Sequence, residues 1–504
     1  MTLDALLRLR PYTLAGSACA GLAAANIMRP SSGFAFLMAS ALVGVATALD
    51  GAARLAAIAL ALATAACGWG GARLDALDRS VLVSRVPHVD RTLAEVTGPA
   101  RYSRFALRLP VRVRSFGALR LSEPALLELP LGRAPPQGAV IATVAAATLP
   151  REPQDGFDER GWLRRQGIHV VLRGRSWDQI GRRGGLGAVA DALRRWLARG
   201  VAPGLHGERA ALLQGIVLGA DEGLSEGLRD NFRSSGLYHL LAVSGQNVAI
   251  IAAGMLLLAR VVAIPRLLAE LAVLAAIASY VLAVGLQPSV VRAGIAGALA
   301  SLAWLGSRPR DRWYFLLVGA GALLAWNPYS LLDPGFELSF VAVASIFVLV
   351  PRIDRRLEGY PVPRWLAGML AVSAACGAVT APILWLDFGR VPVFSILANV
   401  LAEPVMPPLL GLGLTSAVLY PVVPSLAGIL AWVNGWFAAY LAACARLVGG
   451  LPHAQVSSHR AVLLLADLGA LGWALTRIRR PRGRRALELG LVGVAAGLAW
   501  QVVG

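Results

Sequence analysis

A histidine, a serine, a glutamine and an asparagine interrupt an otherwise apolar run, FRSSGLYHLLAVSGQNVAII, as His239, Ser244, Gln246 and Asn247. Within hydrocarbon such groups cost free energy unless they face protein or water, so they mark a functional pathway. On an unbroken helix of about 100° per residue, His239 and Gln246 fall about 20° apart, with Asn247 and Ser244 about 80° and 140° from His239. The polar atoms then share one side. Gly245 lies opposite, where it admits a neighbouring helix or lets the backbone break. His239 and Ser244 also invite a hydrolase reading, which needs a base within reach of a nucleophile. An angle of about 140° separates the two unless the helix breaks at Gly245, so a hydrated lining or a buried interhelical contact is the better expectation.

Charged groups recur further on. Arg292 follows Pro288 and Ser289, while Asp333 and Glu337 flank Pro334, Gly335 and Phe336, with Ser339 one turn away. Buried ions are rarely tolerated singly, which predicts pairing of Arg292 with Asp333 or Glu337; the alternative is a set of interfacial charges that snorkel. Asn399, Glu403 and Pro404 lie where prolines 392, 404, 407 and 408 break a span, as expected of backbone that lines a cavity. His239, Ser244, Gln246, Asn247, Arg292, Asp333, Glu337, Ser339, Asn399 and Glu403 are therefore candidate lining residues. Gly236, Gly245, Pro288, Pro334, Gly335 and Pro404 are candidates for shaping the backbone. The lead-in LGADEGLSEGLRDNFRSSG reads as a vestibule or a helix-capping element.

From 104 to 114 the sequence RFALRLPVRVR alternates, with Phe105, Leu107, Leu109, Val111 and Val113 on one face and Arg104, Arg108, Arg112 and Arg114 on the other. This is the pattern of an antiparallel strand over a small core, and Pro110 points to an edge or a bulge. The arginines with Tyr102 suit a phosphate backbone with an aromatic stacked on a base, or else form a solvated strand face. Metal chemistry finds no donor set, because the six histidines fall in no HxHxDH or HExxH spacing.

The elements that must position these residues are mostly membrane helices. Hydrophobic residues make up 57% of 504 positions and the formal charge is +19. All 48 basic residues are arginine, so neither a P-loop nor lysine Schiff-base chemistry resides here. The four cysteines lie in apolar segments, which argues against a disulfide-stapled domain. Apolar segments at 12–28, 34–49 and 52–70 precede a polar stretch from 71 to 205, and ten more spans start near residues 237, 267, 290, 313, 336, 365, 392, 424, 460 and 486. The first reads as an anchor rather than a cleaved signal. Placing the arginine-rich loops 308–312, 351–356 and 477–485 inside puts 71–236 outside. The fold class expected is a polytopic α-helical membrane protein with about thirteen spans and an inserted all-β soluble domain. Its divisions are 1–70, 71–205, 206–450 and 451–504. Residues 186–199 read as an amphipathic helix, with Leu186, Val189, Leu193, Trp196 and Leu197 on one side and Asp191, Arg194, Arg195 and Arg199 on the other. It either lies on the bilayer or packs within the soluble domain.

The run GLYHLLAVSGQNV resembles the signature of the ComEC-type competence family, inner-membrane channels that admit transforming DNA. PSVVRAGIAGALA, NPYSLLDPGFELSFVAVASI and GFDERGWLRRQGIHVVL are similar to further elements of that family. The resemblance implies an oligonucleotide-binding (OB-fold) barrel for the soluble domain, outside the inner membrane, and single-stranded DNA as the cargo. It also implies a separate DNA receptor, a nuclease and a cytoplasmic helicase-type motor as partners, beside the lipid bilayer, and no cofactor. Many members carry Leu-His where this chain has Gln246-Asn247, so a role tied to that second histidine does not carry over. Many also end in a metallo-β-lactamase-like domain. The present sequence is expected to be the form lacking it, a channel rather than an enzyme. A small-solute or lipid transporter is the alternative, and an intramembrane hydrolase a further one. Oligomeric state is left open by the sequence.

Overall fold

A computed structural model describes residues 3–103, 105–153, 158–285, 288–306, 311–359 and 361–457. Three helices open the chain, α1 (Leu3–Ala24), α2 (Ser32–Thr47) and α3 (Gly51–Asp78). A β-domain follows: β1 (Val89–Val96), β2 (Arg101–Tyr102), β3 (Leu107–Phe116), β4 (Leu119–Leu129), β5 (Ala139–Thr148), α4 (Glu159–Arg165), β6 (Val171–Gly174) and β7 (Asp178–Arg182). Next come α5 (Gly185–Val201), α6 (Gly207–Leu218), α7 (Glu226–Ser234), α8 (Tyr238–Leu241), α9 (Gly245–Val261), α10 (Arg266–Val284), α11 (Pro288–Leu305), α12 (Arg312–Trp326) and α13 (Pro334–Leu357). The remainder is α14 (Arg364–Phe388), β8 (Val391–Pro392), α15 (Ser395–Ala402), α16 (Met406–Leu419), α17 (Pro424–Gly449) and β9 (Gln455–Val456).

Among the described residues six helical stretches are long and apolar enough to cross a membrane, namely 51–85, 266–284, 334–357, 364–388, 395–419 and 424–449. Shorter apolar helices span 32–47, 245–261, 289–305 and 312–326. The spans expected from residues 460 and 486 lie outside the described residues. So do residues 308–310 of the expected loop 308–312, and the expected loop 477–485, whereas Asp311 and Arg312 open α12.

The chain forms two compact units. The first comprises residues 1–223, 241–340 and 408–435; the second comprises 224–240, 341–407 and 436–504. In the first, α9, α10, α11 and α12 pack in succession, and α1 packs on both α3 and α12. Close approach of α1 and α3 depends on small residues: a Cβ at Gly21 would stand 2.0 Å from the Ala63 carbonyl oxygen, and one at Gly70 2.7 Å from the Ala25 methyl. Where lipid replaces water, such backbone proximity supplies the packing energy that side-chain burial supplies elsewhere.

The β-domain is a small barrel. Strands follow the order β1-β3-β4-β6-β5, and β1 pairs again with β5 to close it. All pairings are antiparallel except β4 with β6, which is parallel and therefore needs the crossover that α4 supplies. Leu107, Leu109, Val111 and Val113 are fully buried against Leu127, Ile141 and Leu172, as the period-two pattern requires. Phe105 departs from that pattern. It precedes β3 at the turn from β2 and stands 87% exposed.

Two other expectations change. The single helix assumed from 239 to 247 is two helices, because Ser244 adopts an extended backbone and its Oγ accepts the Gln246 N–H to cap α9. The common side derived for those residues therefore does not exist. In the first half of α5 the polar side turns inward: Asp191 is 3% exposed and ion-paired to Arg183, whereas Leu186 and Val189 are exposed; further on Leu197 of the apolar side is buried and Arg199 exposed. The cause is packing, since α5 lies against α6 and α10, whose backbone ends call for donors.

Candidate functional site

Helix α6 ends within the first unit, and each of its last three carbonyls receives a side chain from a different helix. Asn247 Nδ2 of α9 donates to the Ile216 oxygen at 3.0 Å. The Tyr280 hydroxyl of α10 donates to the Val217 oxygen at 2.7 Å and accepts from Asn247 Nδ2 at 2.9 Å. Arg194 of α5 reaches the Leu218 oxygen at 3.2 Å, and the Ala283 and Val284 oxygens at 3.4 and 3.3 Å. A cation at two converging helix C-termini is favoured by both dipoles and fills orphan acceptors. Burial lowers the Arg194 pKa, and the carboxylates of Glu222 and Asp191 oppose that. Glu222 itself is pushed up by burial, and the guanidiniums of Arg194 and Arg101 counteract the shift.

A second polar group lies on α11. Arg292 Nε donates to Ser339 Oγ at 2.8 Å, and its guanidinium carbon stands 5.8 Å from the centre of the Phe340 ring. Gly245 and Gly319 flank it: a Cβ at Gly245 would stand 4.0 Å from Nη2 and one at Gly319 3.7 Å from Cγ, both ordinary van der Waals contacts. Next to it the Ser289 hydroxyl donates to the Val243 oxygen at 2.7 Å, tying the start of α11 to the break before α9. Two contacts holding Arg292 are thus a hydroxyl and an aromatic face. Asp333, one of the two carboxylates expected there, instead caps α13, its Oδ1 accepting from the Gly335 and Phe336 N–H groups at 2.7 and 3.3 Å. Glu337 sits in the first turn of the same helix.

Apart from Arg194, both groups fall in residues 216–481, the stretch matched by the family model described as competence protein. That is more than half of the sequence. The chain belongs to the competence protein family. It is 27% identical over 259 residues to ComE operon protein 3 of Bacillus subtilis, covering 51% of this chain and 32% of that protein. It is also 23% identical over 211 residues to the uncharacterized protein YcaI of Escherichia coli, covering 39% of this chain and 27% of the relative. The chain thus matches about a third or less of each relative's length. No solved structure matches it.

Within this family member, the lining candidates fall in both units. Ser244 and Asn247 are brought together in the first, Oγ to Oδ1 at 3.4 Å, and Gln246 follows on the first turn of α9. Asn247 is 2% exposed, so its visible work is to hold α6. In the second unit His239 is exposed, its Nδ1 2.9 Å from the Gly236 oxygen. Gly236 has φ +80, and a Cβ there would lie 2.7 Å from the Ser395 Cβ. Asn399 sits on α15 with Oδ1 lacking a hydrogen-bond partner among the described residues, and Glu403 with Pro404 forms the 3-10 turn that divides α15 from α16. Pro288 begins α11 and Pro334 begins α13, the first-turn position where a missing N–H costs nothing.

The strand arginines divide. Arg108 bridges Glu128 and Glu159 at 2.7 and 2.6 Å, and Arg114 pairs with Glu95. Arg112 and Tyr102 are exposed, while Arg104 lies outside the described residues. Among the described residues no group of three His, Cys, Asp or Glu side chains is arranged to hold a metal ion.

The joint between barrel and helices is a hub that the sequence did not reveal. Asp78, ending α3, takes Arg29 Nη1 at 2.7 Å, Arg164 of α4 at 3.0 and 2.9 Å, and the Tyr329 hydroxyl at 3.0 Å from both oxygens. Arg165 of α4 donates to the Leu332 oxygen at 2.9 Å, and Asn327 Nδ2 returns a bond to the Arg165 oxygen at 2.9 Å. A second joint sits at α5, where Asp191 holds Arg183 at 2.6 and 2.7 Å. Gly138 makes room for it, since a Cβ there would meet Asp191 Oδ2 at 2.2 Å. The lone tyrosines at 280 and 329, in otherwise apolar or turn sequence, were the available signal for two of these contacts.

Proposed function

We propose that this protein is an inner-membrane conduit for single-stranded DNA in natural transformation, with its barrel on the outer side acting as an oligonucleotide-binding module. The observation that carries the reading is the locking of the barrel onto the family-matched helices within one compact unit, through α4 to residues 327–332 and through α5 to α10. A strand held on the barrel is thereby presented at the helix ends. Orientation follows from charge. Arg54, Arg260, Arg266 and Arg312 lie at helix ends away from the barrel, and short basic loops stay in the cytoplasm.

In this reading Arg112 and Tyr102 contribute phosphate and base contacts at the entrance, and Arg292 offers a counter-charge along the path. The chain acts as a channel, and the nuclease, receptor and motor are other proteins. An inside-negative potential opposes inward movement of bare phosphate by about 2.3 kcal/mol per charge per 100 mV, so a helicase-type motor or coupled proton movement supplies the force. The test is import of labelled DNA in a strain deleted for the gene. Import and transformation should be lost and return with the intact gene; normal import in the deletion strain ends the proposal.

A further inference from the structure

A cavity of about 380 Å³ opens where the barrel meets the end of α3, between the 3-10 turn Leu82–Arg85, the end of β5 and α4. Small-molecule sites occupy about 300–1,000 Å³. Its cations come from α4 and the segment after it. Arg160 and Arg164 stand one turn apart on α4, and His169 lies two residues before β6. Arg164 gives Nε and Nη2 to Asp78, which leaves its Nη1 end for another acceptor. Arg160 meets Glu152 at 3.7 Å, beyond hydrogen-bond range, and that carboxylate is 78% exposed, so the pair yields readily to a better acceptor. His169 donates from Nε2 to the Leu77 oxygen at 2.8 Å, which holds the ring and leaves Nδ1. Asp78, the carboxylate among the lining residues, is already bonded by Arg29, Arg164 and Tyr329. The rest of the wall is apolar, made by Val83, Leu149, Pro150 and Ile168. Two guanidiniums beside an apolar wall suit a phosphate ester, whose anionic oxygens take charge-assisted bonds while its carbon body lies against the wall.

Hydrogen bonds fix the level of this cavity relative to the spans. Asp78 ends α3, part of the stretch 51–85 that is long and apolar enough to cross a membrane. On the far side of α4, Arg165 donates to the Leu332 oxygen, two residues before the span 334–357 begins, and the Asn327 amide donates to the Arg165 oxygen. Asn327 follows Trp326, which is 66% exposed and has the Arg73 guanidinium 5.6 Å from its ring centre. Exposed tryptophan favours the membrane–water boundary, and arginine extends its charged head to it. Helix α4 therefore lies at the ends of two spans, at the depth where phospholipid headgroups meet water.

We propose that this cavity binds a phosphate ester and that the headgroup of an anionic phospholipid fills it, tying the barrel to the membrane surface. The inference stands whatever passes through the protein. Full chain in detergent is titrated with phosphatidylglycerol and with phosphatidylcholine, and bound lipid is resolved by native mass spectrometry. The same is done for Arg160→Gln, which removes a cation, and for Val83→Trp, which fills the cavity; both positions are partly exposed, so the fold should tolerate the changes. Phosphatidylglycerol should bind about tenfold more tightly than phosphatidylcholine, whose choline cation is repelled by the two arginines, and either variant should abolish that preference. Glycerol phosphate should compete only weakly. If it binds as tightly as phosphatidylglycerol and is likewise lost in the variants, the phosphate-ester site stands and the headgroup assignment falls. A preference kept in both variants, or absent from the intact protein for either ester, overturns the proposal. Loss of oligothymidylate binding in both variants, with phosphatidylglycerol binding unchanged, overturns it too and assigns the cavity to nucleic acid. Unfolding temperature is the control for folding, and one folded variant is enough to decide.

Discussion

Replacing Asp78 with asparagine is the most direct test of how the barrel is held. The carboxylate is 16% exposed and accepts from Arg29, from both sides of the Arg164 guanidinium and from the Tyr329 hydroxyl. An amide keeps one acceptor and turns the other oxygen into a donor. Whichever way it faces, the two-point grip of Arg164 is halved, and in the orientation that keeps Oδ1 the Arg29 bond is lost as well. Hydrogen bonds to charged groups contribute about 1.5–3 kcal/mol each. The Arg29 and Arg164 side chains remain 35% and 53% exposed, so water replaces part of the loss and the net cost is about 2–3 kcal/mol. That corresponds to roughly 30- to 150-fold faster exchange by local opening. The assay is hydrogen exchange of the full chain in detergent, read by mass spectrometry at α4 and residues 327–333. Unaltered protection there, in a protein that still unfolds cooperatively, refutes the idea that Asp78 couples barrel to helices.

Removing the Tyr280 hydroxyl, as Tyr280→Phe, strips the donor from the Val217 carbonyl and should cost about 1–2 kcal/mol, seen as a lower unfolding temperature in detergent. The Glu222 carboxyl has its pKa raised by burial, so its stabilising contribution is complete below the unfolded pKa and lost as pH rises through the folded one. Glu222→Gln should accordingly raise the unfolding temperature at pH 7.5 and leave it unchanged near pH 4; a gain at acid pH alone contradicts the burial argument. Arg108→Ala should weaken the barrel without altering how single-strand affinity depends on salt, because Arg108 is committed to two carboxylates. Arg112→Ala should leave stability within about 0.5 kcal/mol and reduce the log–log salt slope by about 0.7.

Period two in residues 107–113 was enough to place the barrel's inner face, because an alternating strand has only one way to bury its apolar half. Phe105 broke the alternation because the chain had already turned. The arginines on the outer face could not be sorted from sequence, since Glu95, Glu128 and Glu159 come from other elements and their register is set by tertiary pairing. In α5 the pattern was legible but the inward turn of Asp191 and Arg194 was not: the partners that draw Arg194 inward are backbone carbonyls, which every residue carries and no sequence displays. The break before α9 hung on Ser244 as a cap, and a serine before glycine reads equally well as part of a continuous polar stripe.

Helix α6 has a bearing on biogenesis. At 12 residues it is about 18 Å long, short of the about 30 Å of a hydrocarbon core. Its terminal oxygens are matched by Arg194, already translated, and by Asn247 and Tyr280, which are synthesised 31 and 63 residues after the carbonyls they meet. Until residue 247 has left the ribosome this segment lacks two of its three tethers, and until residue 280 has followed it still lacks one, so its docking is complete only with α10. Truncations ending before and after that tyrosine should therefore differ sharply in protease sensitivity at α6.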